Sequence, residues 1–197
     1  MNLRVNTFLL VIIFIIFHYF SFKKSDRPVI YLPNSMILFL LILQTGLFIA
    51  YFKQHSFNHT LFPIMLITVS GIFFTFSDSY YLMISPIIYY ASVFFSIIYH
   101  LYDYGFQINL TVSQIILIVF LIIIHTFLSD WIGQGDIKLL IWWSCYFSPL
   151  EIYSILFIAS FVGICYGLII KHYFKRNILP FIPALVTGLL IYINFCS

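Results

Sequence analysis

Trp131-Ile132-Gly133-Gln134-Gly135-Asp136-Ile137-Lys138 sets a carboxylate at the edge of membrane-spanning sequence, between apolar runs over 110–128 and 132–147. An ionisable group there is expensive to keep and is a functional-site candidate by default. Gly133 and Gly135 lack side chains, so backbone or substrate can come close to the acid. Lys138 can snorkel and hold a loop at the membrane surface. The G-x-G-D-x-K pattern is short, and it gains weight from its membrane setting and from a second acid placed to meet it.

Outward from this run the chain is apolar almost throughout. Of 197 residues, 63% are hydrophobic and 8% charged, with mean hydropathy +1.08. A soluble domain of this length cannot hide so much apolar surface. A spanning helix needs roughly 20 residues. Charge-free stretches lie at about 7–22, 36–52, 60–77, 84–102, 110–128, 132–147, 150–170 and 179–195. They are continuously apolar rather than alternating, which argues for helices against barrel strands. The expected fold is an all-α polytopic membrane protein of about eight transmembrane helices, forming one membrane domain over 1–197. The run 7–22 lacks a small-residue cleavage pattern, and its lysines follow it, so it reads as a retained helix with the N-terminus outside.

That orientation puts Lys23, Lys24, Arg27, Lys138, Lys171, Lys175 and Arg176 inside, and Arg4 and Lys53 outside. Seven of the nine bases then flank the inner face, as the positive-inside rule asks, and the G-x-G-D run is cytoplasmic. The net charge of +3 needs no nucleic-acid partner, because the bases sit beside membrane spans.

Cys145, Cys165 and Cys196 form no C-x-x-C pair and read as small buried residues rather than zinc ligands or a disulfide framework. His18, His55, His59, His100, His125 and His172 show no H-E-x-x-H spacing, and His55 and His59 fall in an outer loop. No P-loop or dinucleotide fingerprint occurs. No metal and no cofactor is expected, and nucleophilic Ser or Cys catalysis has no visible histidine partner.

Six acids remain: Asp26, Asp78, Asp103, Asp130, Asp136 and Glu151. The topology places Asp103 and Glu151 outside, leaving Asp26, Asp78 and Asp130 as possible partners of Asp136. Asp78 closes the third apolar run in Phe76-Ser77-Asp78-Ser79-Tyr80-Tyr81, with no base beside it. Two helices separate it from Asp136, so both return to one side; its bland alternative is to cap or solvate a helix end. Asp26 stands among Lys23, Lys24 and Arg27, where a loop ion pair worth little would explain it. Asp130, six residues before Asp136, suits a loop-supporting role. Two carboxyls a few ångströms apart cannot both ionise cheaply and share a proton. One can then activate water while its protonated partner polarises a scissile carbonyl.

Gly133-Gln134-Gly135-Asp136-Ile137-Lys138-Leu139-Leu140 resembles the G-x-G-D-x-K-L-L segment of type IV prepilin peptidases, polytopic aspartyl proteases of bacteria. In that family a first catalytic aspartate ends a helix and two helices follow before G-x-G-D, an order that Asp78 and Asp136 match. Ser77-Asp78-Ser79-Tyr80-Tyr81-Leu82-Met83-Ile84-Ser85-Pro86 is similar to the first-aspartate region of Gram-positive members. Leu179-Pro180-Phe181-Ile182-Pro183-Ala184-Leu185 resembles I-P-F-G-P, with Ile182 where the family usually has glycine. Asp26 to Pro33-Asn34 also fits a D-x6-P-N spacing, but would put four helices before G-x-G-D.

The resemblance implies a GxGD-type aspartyl protease architecture, with a peptidase core over 60–197 and two N-terminal helices and a short cytoplasmic loop over 1–59. It implies Asp78 and Asp136 as catalytic pair, Gly133, Gly135 and Lys138 as supporting motif, and no cofactor or metal. The implied substrate is a prepilin or pseudopilin, a single-span helix with a basic leader cut at the cytoplasmic face of a bacterial plasma membrane. A competence pseudopilin fits the Gram-positive likeness. Bifunctional members carry paired C-x-x-C motifs in their first cytoplasmic loop and also methylate the product; the loop at about 23–35 has no cysteine, so the resemblance implies a peptidase alone or one missing its methylation module. Two other readings stand beside it. Tyr102-Asp103 and Pro183-Ala184-Leu185 superficially supply the Y-D and P-A-L motifs of presenilin and signal-peptide-peptidase proteases. Intramembrane acids also serve transporters or assembly scaffolds.

Overall fold

The structure is a computed structural model that describes residues 34–54, 61–104, 110–127, 133–174 and 180–196. The expected helix over 7–22, Arg4, Lys23, Lys24, Asp26, Arg27, His55, His59, Asp130, Lys175 and Arg176 lie outside the described residues. The described residues form helices and no strand: α1 (Asn34–Gln54), α2 (Leu61–Tyr81), α3 (Pro86–Tyr104), α4 (Val112–Phe127), α5 (Gln134–Trp143), α6 (Pro149–Phe174) and α7 (Ile182–Phe195). Long apolar runs become helices because only a helix satisfies every backbone group within one segment. Proline fixes several starts: Pro86 and Pro149 open α3 and α6, and Pro183 is the second residue of α7. The start of α6 is also a capping box, in which the Ser148 amide donates to Glu151 Oε2 at 2.6 Å and the Glu151 amide to Ser148 Oγ at 3.4 Å.

Three helices, over Asn34–Gln54, Phe62–Tyr81 and Pro149–His172, are long and apolar enough to cross a membrane. Shorter apolar helices run over Pro86–Tyr99, Val112–Phe127 and Ile182–Phe195. The chain is an all-α membrane protein. Its outer surface agrees: Phe39, Phe94, Ile116, Phe157 and Phe161 are all more than half exposed, which only a lipid surround makes inexpensive.

The apolar run over 132–147 does not form a spanning helix. α5 stops at Trp143 after 10 residues, about 15 Å of helix against roughly 30 Å of hydrocarbon. Beyond it the chain tightens, with Cys145 N–H donating to Trp142 O and Tyr146 N–H to Trp143 O. Cys145, Tyr146 and Phe147 keep hydropathy high where the backbone has already turned. The turn nonetheless reaches the start of α4, since Gln114 Nε2 donates to Phe147 O at 3.3 Å.

α7 is the hub. It packs on α6, α2, α1 and α5, and every residue from Ile182 to Leu190 is buried. A helix apolar on all sides belongs inside, and here it sits within a ring of its neighbours. Gly188 lets α6 come close, because a Cβ there would lie 2.8 Å from Ala159 N. Small residues at such crossings allow dispersion contacts that lipid cannot match. Gln44 of α1, wholly buried, donates from Nε2 to Pro183 O and to Thr187 Oγ1, both at 3.1 Å.

These contacts give the molecule two ends. At one lie the α2–α3 turn and the starts of α5 and α7. At the other, Tyr192 near the end of α7 donates to Glu151 Oε1 at 3.3 Å, beside the start of α6. The three cysteines are exposed rather than buried. Against lipid a thiol loses nothing by facing outward, so the usual bias of free cysteine towards the interior of water-soluble proteins does not apply.

Candidate active site

The first acid owes its position to how α2 ends. Leu82 N–H donates to Asp78 O at 2.9 Å, and Leu82 itself takes φ 52°. That is a left-handed helix stop, ordinarily given to glycine, and a leucine there costs about 1 kcal/mol or more. The Ser77 hydroxyl donates to Met83 O and pins the turn from below. Asp78 is thereby aimed inward in the last turn of α2, only 6% exposed.

Its carboxyl meets the start of α7. Ile182 N–H donates to Asp78 Oδ2 at 3.1 Å, while the N-cap Phe181 offers no side-chain cap. Asp78 therefore does cap a helix, but from 104 residues away in sequence, which fixes one oxygen and the plane of the carboxyl. A backbone amide makes this contact, so it does not depend on the side chain at position 182. Sequence reasoning missed this donor; the only signal was the pair Pro180 and Pro183 announcing a helix start.

The G-x-G-D segment is a helix start rather than a loop. Gly133 is the N-cap, and Gly135, Asp136 and Lys138 are already helical. Asp136 N–H and Ile137 N–H both donate to Gly133 O, at 3.0 and 3.3 Å. The half-buried Asp136 carboxyl folds back over Gly133, so that a Cβ there would sit 2.7 Å from Asp136 Oδ2. Gly135 faces the α2–α3 turn: a Cβ would meet Ile84 Cδ1 and Cγ1 at 3.0 Å. Both glycines permit close approach, one of the acid's own carboxyl and the other of a neighbouring turn. The Tyr89 hydroxyl donates to Lys138 O at 3.1 Å, and its ring meets Trp142 edge-on at 6.2 Å, tying α3 to α5.

Asp78, Asp136, Gly133, Gly135 and Lys138 line one cavity of about 410 Å³. Leu82, Ile84, Pro86 and Ile182 supply apolar wall. Lys138 thus shares the cavity with both acids. Glu151 is at the other end, engaged in its capping box. Asp103 is in the last turn of α3, 17 residues beyond Pro86 at the cavity, which is about 25 Å along the helix. Among the described residues no cluster of His, Cys, Asp and Glu could hold a metal.

With the two acids in one cavity on a bundle of apolar helices, comparison with known proteins becomes informative. The model of the type IV leader peptidase family matches residues 65–168. The chain belongs to the type IV leader peptidase family. The matched stretch of the peptidase runs from α2 through most of α6, taking in Asp78 and Asp136 and leaving Asp26 outside. α1 and α7 lie beyond it, although α7 carries the amide that holds Asp78. Comparison with curated proteins and with solved structures returned no match.

Proposed function

We propose that Asp78 and Asp136 are the catalytic pair of an aspartic endopeptidase that removes the basic leader of single-span, pilin-like precursors. The observation that carries this reading is that two acids 58 residues apart open into one cavity. One carboxylate takes a proton from water as the oxygen attacks the scissile carbonyl carbon. The protonated partner donates to the carbonyl oxygen, giving a neutral gem-diol. Collapse breaks the C–N bond, with a proton passing to the leaving amine, and the pair regains its single shared proton. The Ile182 amide holds Asp78 Oδ2 throughout, so one carboxyl keeps its orientation while charge moves. The protonation behaviour belongs to the pair rather than to either member.

Cleavage takes place at the cytoplasmic face of a bacterial plasma membrane, on this reading, where a basic leader meets the inner flank of the bilayer. The cut falls before the substrate's apolar helix. The test is purified protein in vesicles with a single-span precursor bearing a basic leader. The expected result is release of the leader as one peptide, unaffected by EDTA or by serine- and cysteine-directed inhibitors. Cleavage abolished by EDTA, or no cleavage of any such precursor, overturns the reading.

A further inference from the structure

Ile182 touches both halves of the site. Its amide donates to Asp78 Oδ2 at 3.1 Å, and its side chain, 2% exposed, forms part of the cavity wall. The far end of that side chain reaches α5. A Cβ on Gly135 would stand 3.5 Å from Ile182 Cδ1, and 3.0 Å from Ile84 Cδ1 and Cγ1. Two isoleucines, one from the start of α7 and one from the α2–α3 turn, therefore close over the bare face of Gly135, the residue that precedes Asp136.

The placement matters because Asp136 is in the first turn of α5. First turns fray, since their amides lack full intrahelical partners, and what packs against them decides where their side chains stand. The Asp136 amide reaches back only to Gly133 O, and Gly135 has no side chain to steady the turn. Ile182, in contrast, is well anchored. It opens α7, is followed by Pro183, and belongs to the main core with Leu185 and Val186. A β-branched side chain in a helix keeps one dominant χ1 rotamer, so Cδ1 ends a stiff spacer between α7 and α5.

We propose that Ile182 is a positioning residue that sets the separation of the two carboxyls. Its amide fixes Asp78, and its side chain, with that of Ile84, fixes the turn that carries Asp136. This rests on the peptidase reading above. Both acids are then registered to one residue of the hub helix, rather than each to its own helix alone. A pair that shares a proton and activates one water needs its separation held closely, since a 1 Å misplacement costs about a hundredfold in rate. A residue that only filled space would contribute to melting temperature and not selectively to kcat.

The test separates the side chain from the amide. Ile182→Ala keeps the amide, and Ile182→Val removes only Cδ1, so it carries the test if the alanine variant fails to fold. With a precursor in vesicles, Ile182→Ala should lower kcat about tenfold or more, part of the cost of a 1 Å misplacement. Ile182→Val should lower it less, and KM should hold in both. Gly135→Ala in the Ile182→Val protein puts a carbon back into the contact, so the double variant should lose less than the two single variants combined. Leu189→Ala, deeper in the core along α7, should lower the melting temperature without this selective loss of kcat. Independently of cleavage, nitroxides at Met83→Cys and Gln134→Cys, both exposed, report the gap between the α2–α3 turn and α5 by dipolar broadening once the native cysteines are serine. That broadening should weaken in Ile182→Ala. Unchanged kcat and broadening, with wild type cleaving and Asp78→Asn inactive, overturn the positioning role and leave the peptidase reading intact. Additive losses at 135 and 182, or a raised KM at constant kcat, also overturn it. Broadening that weakens while wild type cleaves no precursor supports the spacer and overturns the peptidase reading on which its catalytic purpose rests.

Discussion

At the scale of single residues, the site is defined as much by missing side chains as by the acids. Gly133 leaves the space that the Asp136 carboxyl occupies, with Oδ2 2.7 Å from where a Cβ would stand. Gly133→Ala should push that carboxyl out of place while the helices remain intact. Cleavage should fall roughly a hundredfold, the scale of a 1 Å misplacement, with little change in detergent melting temperature. Steady-state kinetics beside a melting curve checks this. Gly135→Ala asks less, since at 3.0 Å only the flexible end of Ile84 has to move; Gly135→Val should lose far more activity than Gly135→Ala. Glu151 makes the opposite case. Its carboxylate serves the capping box and Tyr192, so Glu151→Ala should cost about 1 kcal/mol of stability and leave kcat/KM as in wild type.

At the scale of elements, α7 decides whether the site exists. It presents the Ile182 amide to Asp78 and takes contacts from α6 along its length. Gly188→Val would drive a side chain into the Ala159 backbone and should destabilise by about 1–3 kcal/mol, the usual cost of overpacking. Unfolding in mixed detergent micelles reads that loss. Helix positions could be read from the apolar runs, because hydropathy reports what a membrane segment must do. The run over 132–147 misled for the same reason: Tyr146 and Phe147 are apolar, yet the backbone turns at Ser144. Hydropathy records solvent preference and not the i→i+4 geometry that ends a helix. Asp78 and Asp136 stood out because acids are so few here. The Ile182 amide did not, because it is a backbone group without side-chain identity.

At the scale of the whole molecule, the fold is an apolar bundle turned outward to lipid, with Asp78, Asp136 and Lys138 gathered at one end. Short α5 is part of that design. A ten-residue helix starting at Gly133 brings Asp136 into the cavity beside the end of α2, while its far turn still reaches α4 through Gln114. The two acids come from segments joined by the α3–α4 excursion, so a catalytic pair requires the whole bundle rather than any local motif. The central claim is that Asp78 and Asp136 act together, and the most direct measurement is the cleavage rate of a tagged prepilin by wild type, Asp78→Asn, Asp136→Asn and Asp26→Asn in the same membranes at matched levels. The account predicts that Asp78→Asn and Asp136→Asn each lose at least about a hundredfold, the scale of acid–base catalysis, and that Asp26→Asn stays active. An active Asp78→Asn beside an inactive Asp26→Asn would contradict it.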